Sequence, residues 1–142
     1  MAALSNGVYT IVNQKSGTYL AIPPYGGVNV IGDAPNDESY QKWNVLERDG
    51  LFHIRNLLDE RFLSFEPGPV GISDGLPVVG RFEEKDFRIE LDSGNSGGYR
   101  IIVPDTSQCI TLSDHGNPAS GTPVTLWENC GFTNQIWRFE KV

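Results

Sequence analysis

The chain has 142 residues, and its 18 acidic against 11 basic side chains give a formal charge of −7. A domain of this length buries roughly two thirds of its unfolded surface, and 39% hydrophobic with 20% charged residues is a globular composition, not that of a disordered tail. The acidic surface repels phosphate and argues against nucleic acid or anionic lipid as partners; two Cys and two His leave no four-cysteine zinc site and no metal or cofactor to expect; no apolar run approaches the roughly 20 residues that would insert in a membrane.

The opening, Met1 to Gly7, has neither a basic n-region nor an apolar h-region. No signal peptide is therefore expected, and a cytoplasmic location is. From there 16 Gly and 9 Pro, spread along the chain, separate short runs rich in β-branched and aromatic residues. That pattern predicts an all-β protein of many short strands. The first run, Gly7 to Asn13, places Tyr9 and Ile11 on one face; Tyr19-Leu20 and Ile22 follow, and Gln41-Lys42-Trp43-Asn44-Val45 closes the unit. The second unit opens at Gly50 with Phe52 and Ile54, continues through Phe62-Leu63 and Phe65, and closes with Lys85-Asp86-Phe87-Arg88-Ile89. The third opens at Gly97 with Tyr99 and Ile101, continues through Cys109-Ile110 and Leu112, and closes with Gln135-Ile136-Trp137-Arg138-Phe139. The opening segments align without gaps. The repeats fall at about 7–48, 49–95 and 96–142, each predicting four strands.

No unit of that size buries its apolar face alone. Three copies close a barrel capped by hairpins, which removes most exposed edges. The expected architecture is a single β-trefoil domain over 1–142, with twelve strands in three pseudo-threefold repeats. A seven-stranded sandwich is the alternative, but it does not predict threefold self-similarity.

Gly121-Thr122-Pro123-Val124-Thr125-Leu126-Trp127 followed by Asn134-Gln135-Ile136-Trp137 resembles the ricin B-type lectin repeat with its Gln-x-Trp signature. Gln41-Lys42-Trp43 is a second copy and Lys85-Asp86-Phe87 a degenerate third. The resemblance implies a non-catalytic, carbohydrate-binding protein of the mushroom lectin kind that acts in fungal defence and binds glycans or glycoproteins. It also implies a disulfide between Cys109 and Cys130, which would close a loop of about 20 residues for roughly 3 kcal/mol; two buried thiols are the alternative.

In such lectins a sugar meets an Asp near the start of the repeat's site, a stacking aromatic, and a polar pair beside the last Trp. Carried over, Trp127 is the platform, and Asn134 and Gln135 are the polar pair. The Asp position holds Thr111, with Ala21 and Ser64 at the matching places in the other repeats. The site is therefore expected only in the third repeat and in altered form: Asp114 and His115 supply the missing acceptor if their loop folds back, and Asn129 lines the rim. A sugar's C–H face meets the negative face of the ring, and a carboxylate accepts from hydroxyls more strongly than a neutral group does. Such a shallow site binds one sugar weakly, so a homodimer would gain by avidity.

The chain also resembles fungal β-trefoil protease inhibitors, through Gly7 to Asn13 with Gly17-Thr18-Tyr19 and through Gly71 to Ile89. That alternative would use exposed loops against a serine or cysteine protease, with Tyr25 and Asn29 on a proline-stiffened loop and Lys15 and Arg61 near hairpin turns. A rigid loop loses little entropy on docking. No nucleophile, zinc-protease or phosphate-loop motif is present, and no carboxyl pair is set across a cleft as a glycosidase needs. His53 alternates with Phe52 and Ile54, which predicts an exposed sheet position.

Overall fold

In each repeat the Gly-x-aromatic-x-Ile run sends its aromatic and its Ile to the same face of an extended strand, and three such faces converge. The computed structural model describes residues 4–24, 27–94, 97–128 and 131–142. Twelve strands follow in order: β1 Gly7–Asn13, β2 Tyr19–Ala21, β3 Ile31–Asp33, β4 Trp43–Arg48, β5 Leu51–Asn56, β6 Phe62–Phe65, β7 Val78–Arg81, β8 Arg88–Leu91, β9 Tyr99–Ile102, β10 Gln108–Leu112, β11 Thr122–Glu128 and β12 Trp137–Lys141.

All pairings are antiparallel. β1 pairs with β4 and β12, β4 with β5, β8 with β9, and β9 with β12. The remaining gap is bridged by Phe52 and Phe87, whose amides donate to each other's carbonyls at 2.8 and 2.9 Å. A closed ring results. The hairpins β2–β3, β6–β7 and β10–β11 cap it. They join one another through Pro123 opposite Ile31, Pro77 opposite Thr125 and Asn29 opposite Val79. Three equivalent buried valines link the caps, with Val30 N–H donating to the Val78 carbonyl and Val124 N–H to the Val30 carbonyl, each at 3.1 Å. This is the β-trefoil that the repeat predicts.

The core is layered by the repeat. Ile11, Ile54 and Ile101 form one set, Leu20, Leu63 and Ile110 a second, and Trp43, Phe87 and Trp137 a third, all fully buried. Each such side chain contributes roughly 1.5–3 kcal/mol by leaving water. A buried indole also needs a partner for its N–H. Trp43 Nε1 donates to the Leu20 carbonyl at 2.8 Å and Trp137 Nε1 to the Ile110 carbonyl at 3.0 Å. The glutamine two residues earlier does similar work. Gln41 Nε2 donates to the Ala34 carbonyl and Gln135 Nε2 to the Glu128 carbonyl, both at 2.7 Å. The Gln-x-Trp signature is thus a pair of backbone ties that fix a short 3₁₀ turn over a hairpin end.

The seams between repeats are unequal. Asn13 Nδ2 donates to the Asn134 carbonyl at 3.1 Å, and Asn56 Nδ2 to the Tyr40 carbonyl at 2.9 Å. Beside them Gln14 N–H donates to the Ile136 carbonyl and Leu57 N–H to the Lys42 carbonyl. At the third seam the matching residues are Val103 and Pro104, which have no side-chain amide and no N–H respectively.

His53 corrects the strand-parity reading. It is buried, not exposed; its Nε2 lies 2.6 Å from Asp86 Oδ1, and its ring meets Phe62 edge-on at 6.0 Å. The segment carrying Glu84 and Asp86 toward β8 covers β5, and strand alternation does not register a covering loop.

Candidate functional site

The β10–β11 hairpin sets Thr111 opposite Thr125 and Cys109 opposite Trp127. Between the strands the chain makes a tight turn over Ser113–Gly116. Asp114 (φ 53°, ψ 47°), His115 (φ 55°, ψ 28°) and Gly116 (φ 80°) are all left-handed. That conformation costs roughly 1–2 kcal/mol for each residue with a Cβ, although Asp accepts it better than most. Gly116 is required: a Cβ there would stand 3.0 Å from Asn134 Cβ and from Lys15 Cγ. Asn117 holds the turn, its N–H donating to the Asp114 carbonyl at 3.1 Å and its Nδ2 to Asp114 Oδ2 at 2.8 Å. Asn134 Nδ2 donates to the Leu112 carbonyl at 3.0 Å from the other side.

This reversal brings Asp114 and His115 into one cleft with Trp127, Asn134, Thr111 and Gln135, a hollow of about 390 Å³. Trp127 is 45% exposed. Its Nε1 donates to Thr125 Oγ1 at 3.0 Å, and that hydroxyl shares a 2.8 Å hydrogen bond with Ser113 Oγ. The indole's one polar group is therefore used within the protein, which fixes the ring and leaves its carbons to a ligand. Thr111 and Gln135 have a different part. Both are buried; Thr111 Oγ1 donates to the Cys109 carbonyl at 2.9 Å, and Gln135 Nε2 donates to Thr111 Oγ1 at 3.3 Å as well as to the Glu128 carbonyl. They form a braced floor, whereas Asp114 and His115 are exposed.

Sequence reasoning missed three lining residues: Ser113, Glu128 and Phe132. Phe132 is 65% exposed, and an aromatic between Gly131 and the Asn134-Gln135 pair was the available signal. Glu128 follows the platform directly.

The equivalent places in the other repeats carry no aromatic at the platform position, although the second keeps a hollow of about 240 Å³ lined by Ser64 and Arg81. Strand register puts Asp33 and Arg81 where the third repeat has Trp127. Asp33 is buried and accepts from Gln41 Nε2 at 3.1 Å. Arg81 pairs with Glu83 at 2.9 Å and Glu66 at 3.1 Å. The hydrogen bond from Arg81, aided by its charge, holds the Glu83 carboxyl below the usual glutamate range.

Of the expected inhibitory residues, Asn29 and Arg61 are held by neighbouring groups, and Lys15 is exposed. Asn29 sits in a backbone bridge with Val79, between Gly80 N–H donating to the Val28 carbonyl and Val30 N–H donating to the Val78 carbonyl. Arg61 lies over the Phe82 ring at 5.0 Å, with Nη1 3.8 Å from Asp59 Oδ2 and 3.4 Å from the Gly27 carbonyl. Lys15 is exposed, and its stem packs beside Gly116 and the third-repeat cleft. Tyr25, Asn129 and Cys130 lie outside the described residues, and with Cys130 so does the Cys109–Cys130 pairing; Cys109 itself is buried in β10.

Comparison with known proteins agrees with this fold. The ricin-type beta-trefoil lectin domain-like family model matches residues 2–79 and 39–127. A ricin B-like lectin of Macrolepiota procera, solved in complex with lactose, superposes with a TM-score of 0.91 at 26% identity, covering 100% of both chains. The Rhizoctonia solani agglutinin superposes at 0.87 with 23% identity over 100% of this chain and 99% of its own. A designed threefold-symmetric protein, ThreeFoil, superposes at 0.85 with 21% identity over 96% and 99%. With a closed threefold barrel, Gln-x-Trp ties in two repeats and a family match across most of its length, this chain belongs to the ricin-type β-trefoil lectin family.

Proposed function

We propose that the protein is a non-catalytic lectin whose one sugar site is the third-repeat cleft. The observation that carries this reading is the pairing of a half-exposed, hydrogen-bond-anchored Trp127 with an Asp114 carboxylate in the same hollow. The indole stacks on the C–H face of a pyranose. Asp114, with one oxygen held by Asn117, accepts from hydroxyls with its other oxygen. Asn134 adds polar contacts, and the buried Thr111 and Gln135 keep the floor rigid, which lowers the ordering cost on binding. His115 and Phe132 close the rim.

The inhibitor alternative lacks comparable support, because the family match and the sugar-bound neighbour are those of lectins. A homodimer with two clefts would convert weak monovalent binding into useful avidity.

A printed glycan array tests the proposal. Wild type is expected to retain a defined set of glycans, and Trp127→Ala, with an unchanged circular dichroism spectrum, to lose at least ten-fold in affinity for them. Full binding by a folded Trp127→Ala protein would refute the placement of the site.

A further inference from the structure

The cleft does not end at Asn134. A second hollow of about 370 Å³ is lined by Lys15, Thr133, His115, Phe132 and Asn134, and the last three also line the cleft beside Trp127. The two hollows form one groove that runs from the platform to the first hairpin turn. Its ends differ in charge. Asp114 and Glu128 stand at the Trp127 end, and Lys15 at the other.

Lys15 is placed there by local structure. Its N–H donates to Asn13 Oδ1 at 3.1 Å, and its stem packs against the left-handed Gly116. It also stands apart from the other basic side chains. Among the described residues, each arginine and Lys42 is within an ion pair. Lys85 lies over the Phe65 ring at 4.6 Å and Lys141 over the Tyr9 ring at 5.6 Å. The Lys15 ammonium makes no ion pair among the described residues, in a protein of charge −7. In the gapless alignment of the repeats its counterparts are Leu58 and Asp105, so the cation occurs only beside the third-repeat cleft.

We propose that this end of the groove is a subsite for an anionic group, a carboxylate or a sulfate ester, on the residue next to the sugar stacked on Trp127. The inference rests on reading the Trp127 cleft as the sugar site. The ligand class is then an oligosaccharide with a single negative charge. A polyanion is repelled by the whole acidic surface. One charge close to Lys15 is dominated by that lysine, because screening beyond about 8 Å weakens the distant carboxylates at physiological ionic strength. The reversed orientation sets the anion against Asp114 and Glu128, so like-charge repulsion selects one register along the groove.

The test uses an array carrying the same oligosaccharides in neutral, sialylated and sulfated form, followed by calorimetric titration of the best matched set. Wild type is expected to bind a charged form roughly two- to five-fold more tightly than its neutral parent, the size of an exposed ion pair, and to lose most of that preference in 1 M NaCl. Lys15→Ala brings the charged-to-neutral ratio to about one, Lys15→Glu takes it below one, and Lys15→Arg keeps it. The sialylated and sulfated arms identify the anion. A ratio unchanged in Lys15→Ala, or a wild type that binds neutral and charged forms equally through Trp127, overturns the subsite alone. No glycan bound, or binding indifferent to Trp127→Ala, overturns the sugar cleft and the subsite with it.

Discussion

Asn13→Ala removes a side chain that the structure uses at both ends. Its Nδ2 donates to the Asn134 carbonyl at 3.1 Å, and its Oδ1 accepts the Lys15 and Ser16 amides at 3.1 and 3.2 Å. Each hydrogen bond has a net value of about 1 kcal/mol, and a buried polar group left without its partner costs about 1–3 kcal/mol. Asn13 is fully buried, while Lys15 is exposed and Ser16 half-buried. Water therefore replaces the loss at the two amides more readily than at the Asn134 carbonyl. The expected destabilisation is about 2–4 kcal/mol. For a chain of this size each kcal/mol moves the melting temperature by roughly 2–4 °C, so Tm should fall by roughly 4–16 °C. Urea unfolding and calorimetry measure both. Asn56→Ala is the control, since it breaks the matching tie to the Tyr40 carbonyl, between the first and second repeats. Both variants should lose stability, but only Asn13→Ala should also weaken glycan binding, because Asn134 lines the cleft. A loss below about 1 kcal/mol for Asn13→Ala, or equal loss of glycan affinity in the two variants, would refute the reasoning.

Trp137→Phe should cost about 2–4 kcal/mol in chemical denaturation, from the cavity left by the smaller ring and the unpaired Ile110 carbonyl; a cost under 1 kcal/mol would mean that the indole N–H tie is dispensable. Gly116→Ala forces a Cβ into the left-handed region within 3.0 Å of Asn134 and Lys15 side chains and should destabilise by about 1–3 kcal/mol, with glycan affinity falling alongside because Asp114 belongs to the same turn; titration calorimetry on the folded variant reads the second effect. The Glu83 carboxyl, lowered by its hydrogen bond from Arg81, should titrate by carbon-detected NMR below an ordinary glutamate and return toward it in Arg81→Ala. Because its folded pKa lies below the unfolded one, the contribution of Glu83 to stability is present above the unfolded value and disappears as pH falls through the folded one.

The barrel was readable because its determinants occur three times. Tyr9, Phe52 and Tyr99 with Ile11, Ile54 and Ile101 repeat at fixed spacing, and strand parity converts that spacing into one buried face. Trp127, Asp114 and Asn134 were readable from the lectin resemblance and from the absence of the usual carboxylate at Thr111. Parity failed at His53 because it describes a strand's two faces, not what a later segment lays across one of them. It gave no access to Phe132 either, since a loop aromatic follows no period. The reversal at Asp114 and His115 was expressible only as a condition. Left-handed residues with a Cβ are costly, and what holds them comes from Asn117, close in sequence, and from Asn134, 22 residues after Leu112.

That reversal also sets the third-repeat cleft apart from the strands beneath it without disturbing the fold. A residue at the strand position faces inward in every repeat, where Ala21, Ser64 and Thr111 are all buried. An acceptor carried on the 113–116 turn is set by local backbone strain and by two asparagines, and the strand beneath keeps Thr111 as an inward brace to Gln135. The repeated isoleucines and closing aromatics, fully buried in every copy, answer to packing. The unrepeated ones, Asp114, Trp127, Phe132 and Lys15, line the two adjoining hollows. The seams obey the same division. The cleft lies where Asn13 ties the first repeat to the third, whereas the seam without an amide tie, at Val103 and Pro104, borders a hollow lined by the charged Arg48, Glu84, Lys85 and Asp86 and the buried His53. A rigid seam beneath an exposed ring is the arrangement in which stacking costs least order, and the threefold scaffold supplies such a seam beside only one half-exposed tryptophan.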